Sequence, residues 1–342
     1  MVPPLMHMFL ETNSVKVILR IMGPTINCIM QFCKYTILLR QMSRIQKSVN
    51  AIKEDLTSAT AENRLIFRSK VKILRRIVIV AAITMYGGGL CHRTVVPLLR
   101  GTIVTPDNVT IRPLPSPTHL IILDEQKSPT YEILFVLQVF AGFVAYAIVC
   151  GISGMSALLV LHTCSMLRIL ANKMNRLVDK KDVPEMMVQR RIADIVEYQM
   201  KIKRFLKNIE TITENIYLIE MVGCSCLLCL IGYYIIMEWE NNNTAGVLIY
   251  ATLQTSFMFC IFIVCYIGQL LVDENRFVGQ TSGMINYYHL STKHMRSLIL
   301  IIAMSNHPMK LVAGKMAEIS LATFTDVMKM SMGYLNILRE VV

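Results

Sequence analysis

Six long apolar runs constrain the fold of this 342-residue chain more than any other feature of its sequence. A helix needs roughly 20 mostly apolar residues to cross a bilayer, and each run is of about that length. Hydrophobic residues make up 54% of the chain and charged residues only 17%, against about 25% charged in soluble domains. The sequence therefore predicts an all-α polytopic transmembrane helical bundle. The runs lie at 17–40, 74–99, 131–161, 212–237, 246–272 and 313–338.

The last of these runs is preceded by a shorter apolar run at 297–308, which ends in Asn306-His307-Pro308. Proline ends or kinks a helix, because it lacks the backbone N–H and clashes with the preceding turn. We therefore predict that the last helix is split in two.

The distribution of charge predicts the orientation of the chain. The formal net charge is +12, and the basic residues lie between apolar runs rather than on a polar domain. A nucleic-acid partner is therefore not expected. The basic segments 40–76 and 168–207 are predicted to be cytoplasmic by the positive-inside rule. The segments 100–130 and 238–245 are poor in Lys and Arg, and they carry glycosylation sequons at Asn108 and Asn242. These segments are predicted to be extracellular.

With six spans, this alternation of cytoplasmic and extracellular segments places both ends of the chain outside the cell. The sequence shows no targeting segment to carry the N-terminus there. Two explanations remain open. The chain has six spans and a short translocated tail, or a first span is missing and "MVPPLMHMFL" is its outer remnant. We expect the second, a truncated chain.

Two further segments have recognisable patterns. Apolar residues recur every three to four positions over 186–216, which predicts a helix that begins in the cytoplasm and runs into the fourth visible span. An extension of about 20 residues would project roughly 30 Å. The five prolines of 100–130 exclude a continuous helix, and the apolar "THLIILDE" predicts a folded lid rather than disorder.

The motifs of common enzymes are absent from the sequence. Nine of the ten cysteines lie within apolar runs, so "CSCLLC" (224–229) is interpreted as buried thiols rather than a metal or disulfide site. The glycines of "MYGGGL" (85–90) lie inside a span and indicate close helix packing or a small-residue pocket wall. No catalytic residue, cofactor or metal site is predicted.

A small-molecule pocket is predicted in the outer halves of the spans. Mixed aromatic, apolar and occasional polar side chains suit such a pocket, although they also suit ordinary packing between helices. The candidate ligand-binding residues are Tyr86, Gln138, Phe143, Tyr250, Leu253 and Phe257.

Three stretches resemble the insect odorant receptor family. "IKEDLTSATAENRLIF" (52–67) resembles the acidic loop before the family's third span, with Leu56 where a Trp is common. "MYGGGLCHRTVVPLLRGTIVTPDNVTIRPLPSP" (85–117) resembles the third-span exit and lid of wasp, ant and bee receptors. "MKMSMGYLNILR" (328–339) resembles the C-terminal Ser-Tyr-Ser-x-Phe signature, of which the first Ser is kept as Ser331 and the second Ser and the Phe are not.

The resemblance implies seven spans, of which six are visible here, and an inverted topology relative to G-protein-coupled receptors. It also implies a subunit of a ligand-gated, non-selective cation channel, assembled as a heterotetramer with the odorant receptor coreceptor and opened by a small apolar volatile ligand. The chain would lie in the plasma membrane of olfactory neuron dendrites, with an extracellular C-terminus. The alternatives are a metabotropic, G-protein-coupled chemoreceptor, a transporter, or a non-functional truncated receptor.

In that family the last helix lines the pore. Ile337, Glu340 and Val341 share one helix face, so the resemblance assigns Ile337 and Val341 to an apolar gate and Glu340 to a ring that favours cations. Asp326 and Lys329 are also three residues apart and are expected to pair within the bundle.

The chain is accordingly divided into five segments. They are 1–40 with a first-span remnant and the second span, 41–167 with the third and fourth spans and the lid at 100–130, 168–211 with the cytoplasmic extension, 212–296 with the fifth and sixth spans, and 297–342 with the split seventh helix.

Overall fold

The computed structural model describes residues 15–90, 93–94, 103–104, 110–112, 114, 127–178, 184–285, 288, 290–307 and 309–341. These residues form eight α-helices, one π-helix and two antiparallel pairs of two-residue strands, which confirms the all-α prediction. The helices are α1 (Val15–Arg40), α2 (Met42–Ser58), α3 (Ala61–Thr84), the π-helix (Met85–Leu90), α4 (Thr130–Asn175), α5 (Glu185–Glu240), α6 (Thr244–Gly283), α7 (Thr292–Asn306) and α8 (Leu321–Val341). The strands are β1 (Ile103–Val104) with β2 (Thr110–Ile111), and β3 (Val312–Ala313) with β4 (Ala317–Glu318). Most of the predicted lid, including Asn108, lies outside the described residues.

Three of the described helices, α4, α5 and α6, are long and apolar enough to cross a membrane by length and composition. Helices α1, α3 and α8 overlap the other predicted spans but do not reach that level, because charged residues interrupt their apolar parts. Only 11% of the most apolar part of α4 is buried within the protein. An outward-facing surface of that kind is stable against lipid rather than water.

The basic segments predicted as loops are largely helical. Helix α2 fills 42–58, and α3 begins directly after Thr60, whose hydroxyl accepts a hydrogen bond from the Asn63 N–H. Helix α2 buries Ile45, Ser48 and Ile52, which recur along one helix face. Its many charges lie on the opposite face and hide this pattern in a simple count of apolar residues.

The split of the last helix is confirmed, but its second part begins later than predicted. Helix α7 ends at Asn306 as predicted from the following proline. Residues 313–318, predicted to begin the span at 313–338, instead belong to the β3–β4 hairpin, which starts at Val312. Gly314 and Lys315 both have left-handed backbone conformations there, with φ of 54° and 59°, so the helix cannot start before the turn is complete.

The predicted helical extension before the fourth visible span is confirmed, since α5 runs without interruption for 56 residues. Its buried residues recur at helical spacing, and neighbouring helices cover them. The Asn208 amide donates to the Ser48 hydroxyl of α2 at 2.7 Å, and the Gln199 amide donates to the Ser305 hydroxyl of α7 at 2.8 Å. The apolar stripe of the extension is therefore packed rather than exposed.

A buried ion pair joins three helices of the bundle. The Lys34 ammonium of α1, only 1% exposed, donates to one carboxylate oxygen of Glu220 in α5. The other oxygen accepts from the Cys224 thiol at 3.4 Å and from the Cys260 thiol of α6 at 3.2 Å. Charges inside a bundle are stable only when they are paired and hydrogen-bonded, and this carboxylate meets both conditions.

Asp55 connects α2 to two other helices. Its carboxylate lies 3.1 Å from His162 Nε2 of α4 and accepts a hydrogen bond from Lys201 of α5. The His162 ring stacks on Phe67 of α3 at 5.2 Å between ring centres and meets Phe205 edge-on at 5.4 Å. Burial alone would raise the pKa of Asp55, but the bonds from His162 and Lys201 outweigh it and lower the pKa below its usual 3.8.

Replacing Lys34 by methionine should strongly destabilise the protein. The substitution leaves the Glu220 charge buried without its partner, which costs about 3–5 kcal/mol of folding free energy. The measurement is the thermal denaturation midpoint of the detergent-solubilised protein. The double variant Lys34→Met with Glu220→Leu should recover most of the loss. Lys310→Met is the control, because it breaks the exposed Lys310–Glu318 pair and should cost under about 1 kcal/mol. Equal losses for the two lysines would contradict the prediction.

Replacing Asp55 by asparagine should destabilise the protein in a pH-dependent manner. Because the pKa of Asp55 is lowered by folding, its contribution is present above the usual value of 3.8 and is lost as pH falls through the lower folded value. Two hydrogen bonds to a charge predict a loss of about 1.5–3 kcal/mol at neutral pH. Denaturation midpoints of both proteins, measured across this range, should converge in acid. Asp194→Asn is the control, since that carboxylate is 61% exposed, and a pH-independent difference at Asp55 would disprove the account.

Candidate functional site: an aromatic cluster and the terminal helix

Three aromatic rings from two elements meet just beyond the end of α3. Tyr86 of the π-helix lies 5.2 Å from Phe143 and 6.2 Å from Tyr146, both of α4, between ring centres. We call these three residues the aromatic cluster. Phe143 is 50% exposed, so the cluster has an accessible side. Tyr146 packs inward against the buried Met85, Val149 and Cys260.

The glycines of the π-helix allow this approach, as the sequence predicted for "MYGGGL". A Cβ on Gly89 would lie 2.7 Å from Cε1 of Tyr146, and a Cβ on Gly88 would lie 3.3 Å from Cβ of Ser256 in α6. The Ser256 hydroxyl donates to the Thr84 carbonyl at 3.2 Å. A π-helix shifts the hydrogen-bonding register of a helix, and such segments are frequent at functional sites. The absent side chains let α4 and α6 both contact this short segment.

Arg93 lies beside the cluster, and sequence reasoning did not select it. It is half-buried, and its Nη1 donates to the backbone carbonyl of Gln138 at 3.3 Å. Its Cζ lies 6.0 Å from the centre of the Tyr146 ring. The sequence did contain a signal, since Arg93 lies within the predicted span 74–99, and an ionisable residue inside a span is a candidate functional residue.

The six predicted ligand-binding residues fall into two groups. Tyr86 and Phe143 meet in the cluster, and the backbone of Gln138 binds Arg93. The other three lie on one face of α6, where Tyr250 stacks on Tyr234 at 5.3 Å and the side chains of Leu253 and Phe257 are partly buried against the main core. Ser256, which lies against Gly88 of the π-helix, falls between Leu253 and Phe257 along α6. The assignment of these residues to ligand binding stays a prediction.

Helix α8 has two different faces. The buried face carries Val327 and Ser331, and the Ser331 hydroxyl lies 3.4 Å from that of Ser225 in α5. The opposite face is exposed on this subunit, with Met330 48% and Ile337 60% exposed. The residues that share this exposed face at helical spacing are Asp326, Lys329, Met330, Gly333, Ile337 and Glu340. Val341 follows at the end of the same helix, four residues after Ile337.

The expected pairing of Asp326 with Lys329 is wrong. Both side chains are exposed, and no ion pair joins them in the described structure. Among the described residues, no neighbouring helix encloses this face, so the two charges are not drawn together by a low-dielectric environment.

Asn242 is exposed in the turn between α5 and α6, and its glycosylation stays a prediction. The nine described cysteines are free, and Cys226 of "CSCLLC" faces outward whereas Cys224 and Cys229 are buried. Within the described ranges, no group of three or more His, Cys, Asp or Glu residues is placed to hold a metal ion.

Replacing Gly89 by alanine should disturb the cluster, because the new Cβ overlaps the Tyr146 ring. Overpacking of this kind costs about 1–3 kcal/mol, and the thermal denaturation midpoint should fall accordingly. Gly87→Ala is a matched control two residues away, where a Cβ would meet nothing within 4 Å. Adding Tyr146→Leu to Gly89→Ala should restore part of the loss. If Gly87→Ala lowers the denaturation midpoint as much as Gly89→Ala does, the loss comes from the backbone of the π-helix and not from overlap with Tyr146.

The fold is similar to that of a solved insect receptor. The structure of the olfactory receptor OR5 from Machilis hrabei in complex with eugenol aligns with a TM-score of 0.79, covering 99% of this chain and 85% of that one at 13% identity. A second structure of the same receptor aligns with a TM-score of 0.76 at 11% identity. At this identity the match shows the fold alone, and it confirms the polytopic helical bundle.

Sequence relatives point to the same family. Odorant receptor 82a of Drosophila melanogaster is 24% identical over 220 residues, which are 64% of this chain and 55% of that protein. Odorant receptor 30a of the same organism is 22% identical over 247 residues, which are 70% of this chain and 63% of that protein. The chain therefore matches less than two thirds of the length of either relative.

The family model for "7tm Odorant receptor" matches residues 14–332, far more than half of the sequence. Together with the receptor fold, this match assigns the family. The chain belongs to the 7tm odorant receptor family, whose members are membrane receptors rather than enzymes.

Proposed function

We propose that this chain is a subunit of an odorant-gated, non-selective cation channel, formed as a heterotetramer with the odorant receptor coreceptor. The observation that carries the proposal is the exposed face of α8. It combines the charges of Asp326, Lys329 and Glu340 with the apolar side chains of Met330 and Ile337.

Neither lipid nor bulk water suits this face. Charged side chains are costly against lipid, and large apolar side chains are unfavourable in water. A narrow aqueous pore between subunits accommodates both. Apolar rings at Ile337 and Val341 would close such a pore by dewetting, and acidic rings at Glu340 and Asp326 would attract cations. The two acidic positions lie about 21 Å apart along the helix axis.

The ligand in this proposal is a small apolar volatile molecule. The exposed side of the aromatic cluster offers ring surface near the outer end of the bundle. Gln138 lies beside it, and Tyr250, Leu253 and Phe257 lie on α6 beyond the Ser256 contact. Binding there buries apolar surface of the ligand, and each Å² removed from water stabilises the complex by about 25 cal/mol.

Helix α6 connects the proposed ligand site to the proposed pore. Ser256 contacts the end of α3 through the Thr84 carbonyl. Less than two turns further along, Phe262 meets Phe324 at the start of α8 with 5.7 Å between ring centres. A ligand that favours one position of α6 would thereby favour one position of α8, as a shift between populations of closed and open channels.

The proposed orientation follows the charges. The basic helical segments of α2 and α3 would face the cytoplasm, and Asn108 and Asn242 would be glycosylated outside. The C-terminus would then be extracellular, in the plasma membrane of olfactory neuron dendrites.

The test of the channel is odour-evoked current in cells that express this chain with the coreceptor. The proposal expects current that persists when G-protein signalling is blocked. Loss of the odour-evoked current under the block would favour the metabotropic alternative. An odour-evoked current in cells that lack this chain would show that the chain is not a required subunit of the channel.

Replacing Glu340 by lysine should reduce cation current in the same cells. A ring of lysines repels cations, and a barrier raised by about 1.4 kcal/mol lowers the flux about tenfold. The measurement is the evoked current and its reversal potential in solutions of different cation content. Arg339→Gln is the control, because position 339 lies on a different side of α8. Unchanged permeation in the Glu340 variant would show that this residue does not line the pore.

A further inference from the structure

We propose that Arg93 makes the aromatic cluster selective for apolar ligands that end in a carboxylate. This inference rests on the proposed function in one respect, since it takes the cluster as the ligand site. It adds the chemical class of the ligand. It depends on the position of Arg93, on its charge and on the rigidity of its surroundings.

The position of Arg93 places a cation at the edge of an aromatic surface. Its Nη1 donates to the Gln138 carbonyl at 3.3 Å, and its Cζ lies 6.0 Å from the Tyr146 ring centre. Tyr86 and Phe143 extend that surface, with their ring centres 5.2 Å apart. A ligand lying on these two rings therefore has the guanidinium within reach of one end.

The charge of Arg93 is not neutralised by the described residues. An arginine stays charged at any physiological pH and carries five N–H donors. The Gln138 carbonyl and the Tyr146 side chain are neutral, and no carboxylate of the described chain forms an ion pair with Arg93.

Other cations of the bundle differ in this respect. Lys34 is paired with Glu220, and Lys70 is paired with Glu274, each in a buried or half-buried setting. A half-buried cation without a carboxylate raises the local potential and favours an anion that arrives with the ligand.

The side chain of Arg93 is held in place by its neighbours. A Cβ on Gly142 would lie 2.7 Å from Cδ of Arg93, so the arginine stem occupies space that only a glycine leaves free. Gly89 makes the corresponding space for Tyr146. Because both side chains are already ordered, little conformational entropy is lost when a ligand binds.

These features select the class of ligand. A guanidinium presents two parallel N–H groups that match the two oxygens of a carboxylate. A single arginine among rings suits a monoanion with an apolar body, whereas a phosphate would call for several cations. A ligand with an ammonium group would be repelled by Arg93.

The experiment compares three ligands of equal chain length, octanoate, 1-octanol and octanal, on the purified full chain in lipid nanodiscs. The readouts are equilibrium binding and the rise of the thermal denaturation midpoint with ligand concentration. Neither readout requires a coreceptor or a current. At neutral pH we expect octanoate to bind roughly 10–100-fold more tightly than octanol, as charge-assisted hydrogen bonds provide.

Variants identify the group responsible. Arg93→Gln should remove the preference for octanoate while leaving octanol binding within about twofold, and Arg93→Lys should keep part of it. Arg112→Gln is the matched control, because Arg112 lies 5.7 Å from the Tyr131 ring and outside the cluster. Phe143→Ala should weaken all three ligands together, since it removes shared ring surface.

The outcomes separate this inference from the channel proposal. Equal binding of octanoate and octanol by the unmodified chain would overturn the inference without any variant. A preference that survives Arg93→Gln would overturn it as well. Tight octanoate binding without evoked current would support the selectivity for carboxylates and contradict the channel proposal. Currents evoked equally by octanol and octanoate would support the channel proposal and contradict the selectivity for carboxylates.

Discussion

A chain that lies in lipid must satisfy its backbone hydrogen bonds within itself, and the architecture of this receptor follows from that constraint. Helices meet the requirement locally, which is why α4, α5 and α6 run for 46, 56 and 40 residues without a break. Two of the described departures from regular helix are packed against other helices. Gly88 of the π-helix lies against Ser256 of α6, and the Gly314 N–H of the β3–β4 hairpin donates to the Glu214 carbonyl of α5 at 3.0 Å.

Most charged side chains discussed above are likewise paired within the protein, but some are not. Glu220 meets a lysine and two thiols, and Asp55 meets a histidine and a lysine, so these carboxylates are supplied with donors from neighbouring helices. Arg93 and the exposed charges of α8 differ, because the described residues do not offer them a partner of opposite charge. A group of that kind is stable next to water, a ligand or another subunit. Both proposals about function therefore concern places where the subunit alone leaves its charges unmatched.

Helix α6 has a central position in this arrangement. It contacts the π-helix through Ser256, the buried carboxylate through Cys260 and the terminal helix through Phe262. These three residues span about two turns of one rigid helix. A displacement at its outer end would reach the ion pair and α8 together, since packed helices move as units rather than deforming continuously.

The sequence by itself determined the helical bundle, the long extension of α5, the break before Pro308 and the close packing at "MYGGGL". Each of these depends on local properties, namely apolar length, helical periodicity and the special backbones of proline and glycine. Only the tertiary structure grouped Tyr86 and Phe143 with Arg93, separated Tyr250 from them, and left Asp326 unpaired on an exposed face. It also showed that the basic segment 40–76 consists largely of helices α2 and α3. Periodicity tells which side of a helix is apolar, but contacts between residues far apart in the chain depend on how closely two helices approach. That approach is decided by the side chains of both helices, so it cannot be read from either stretch alone.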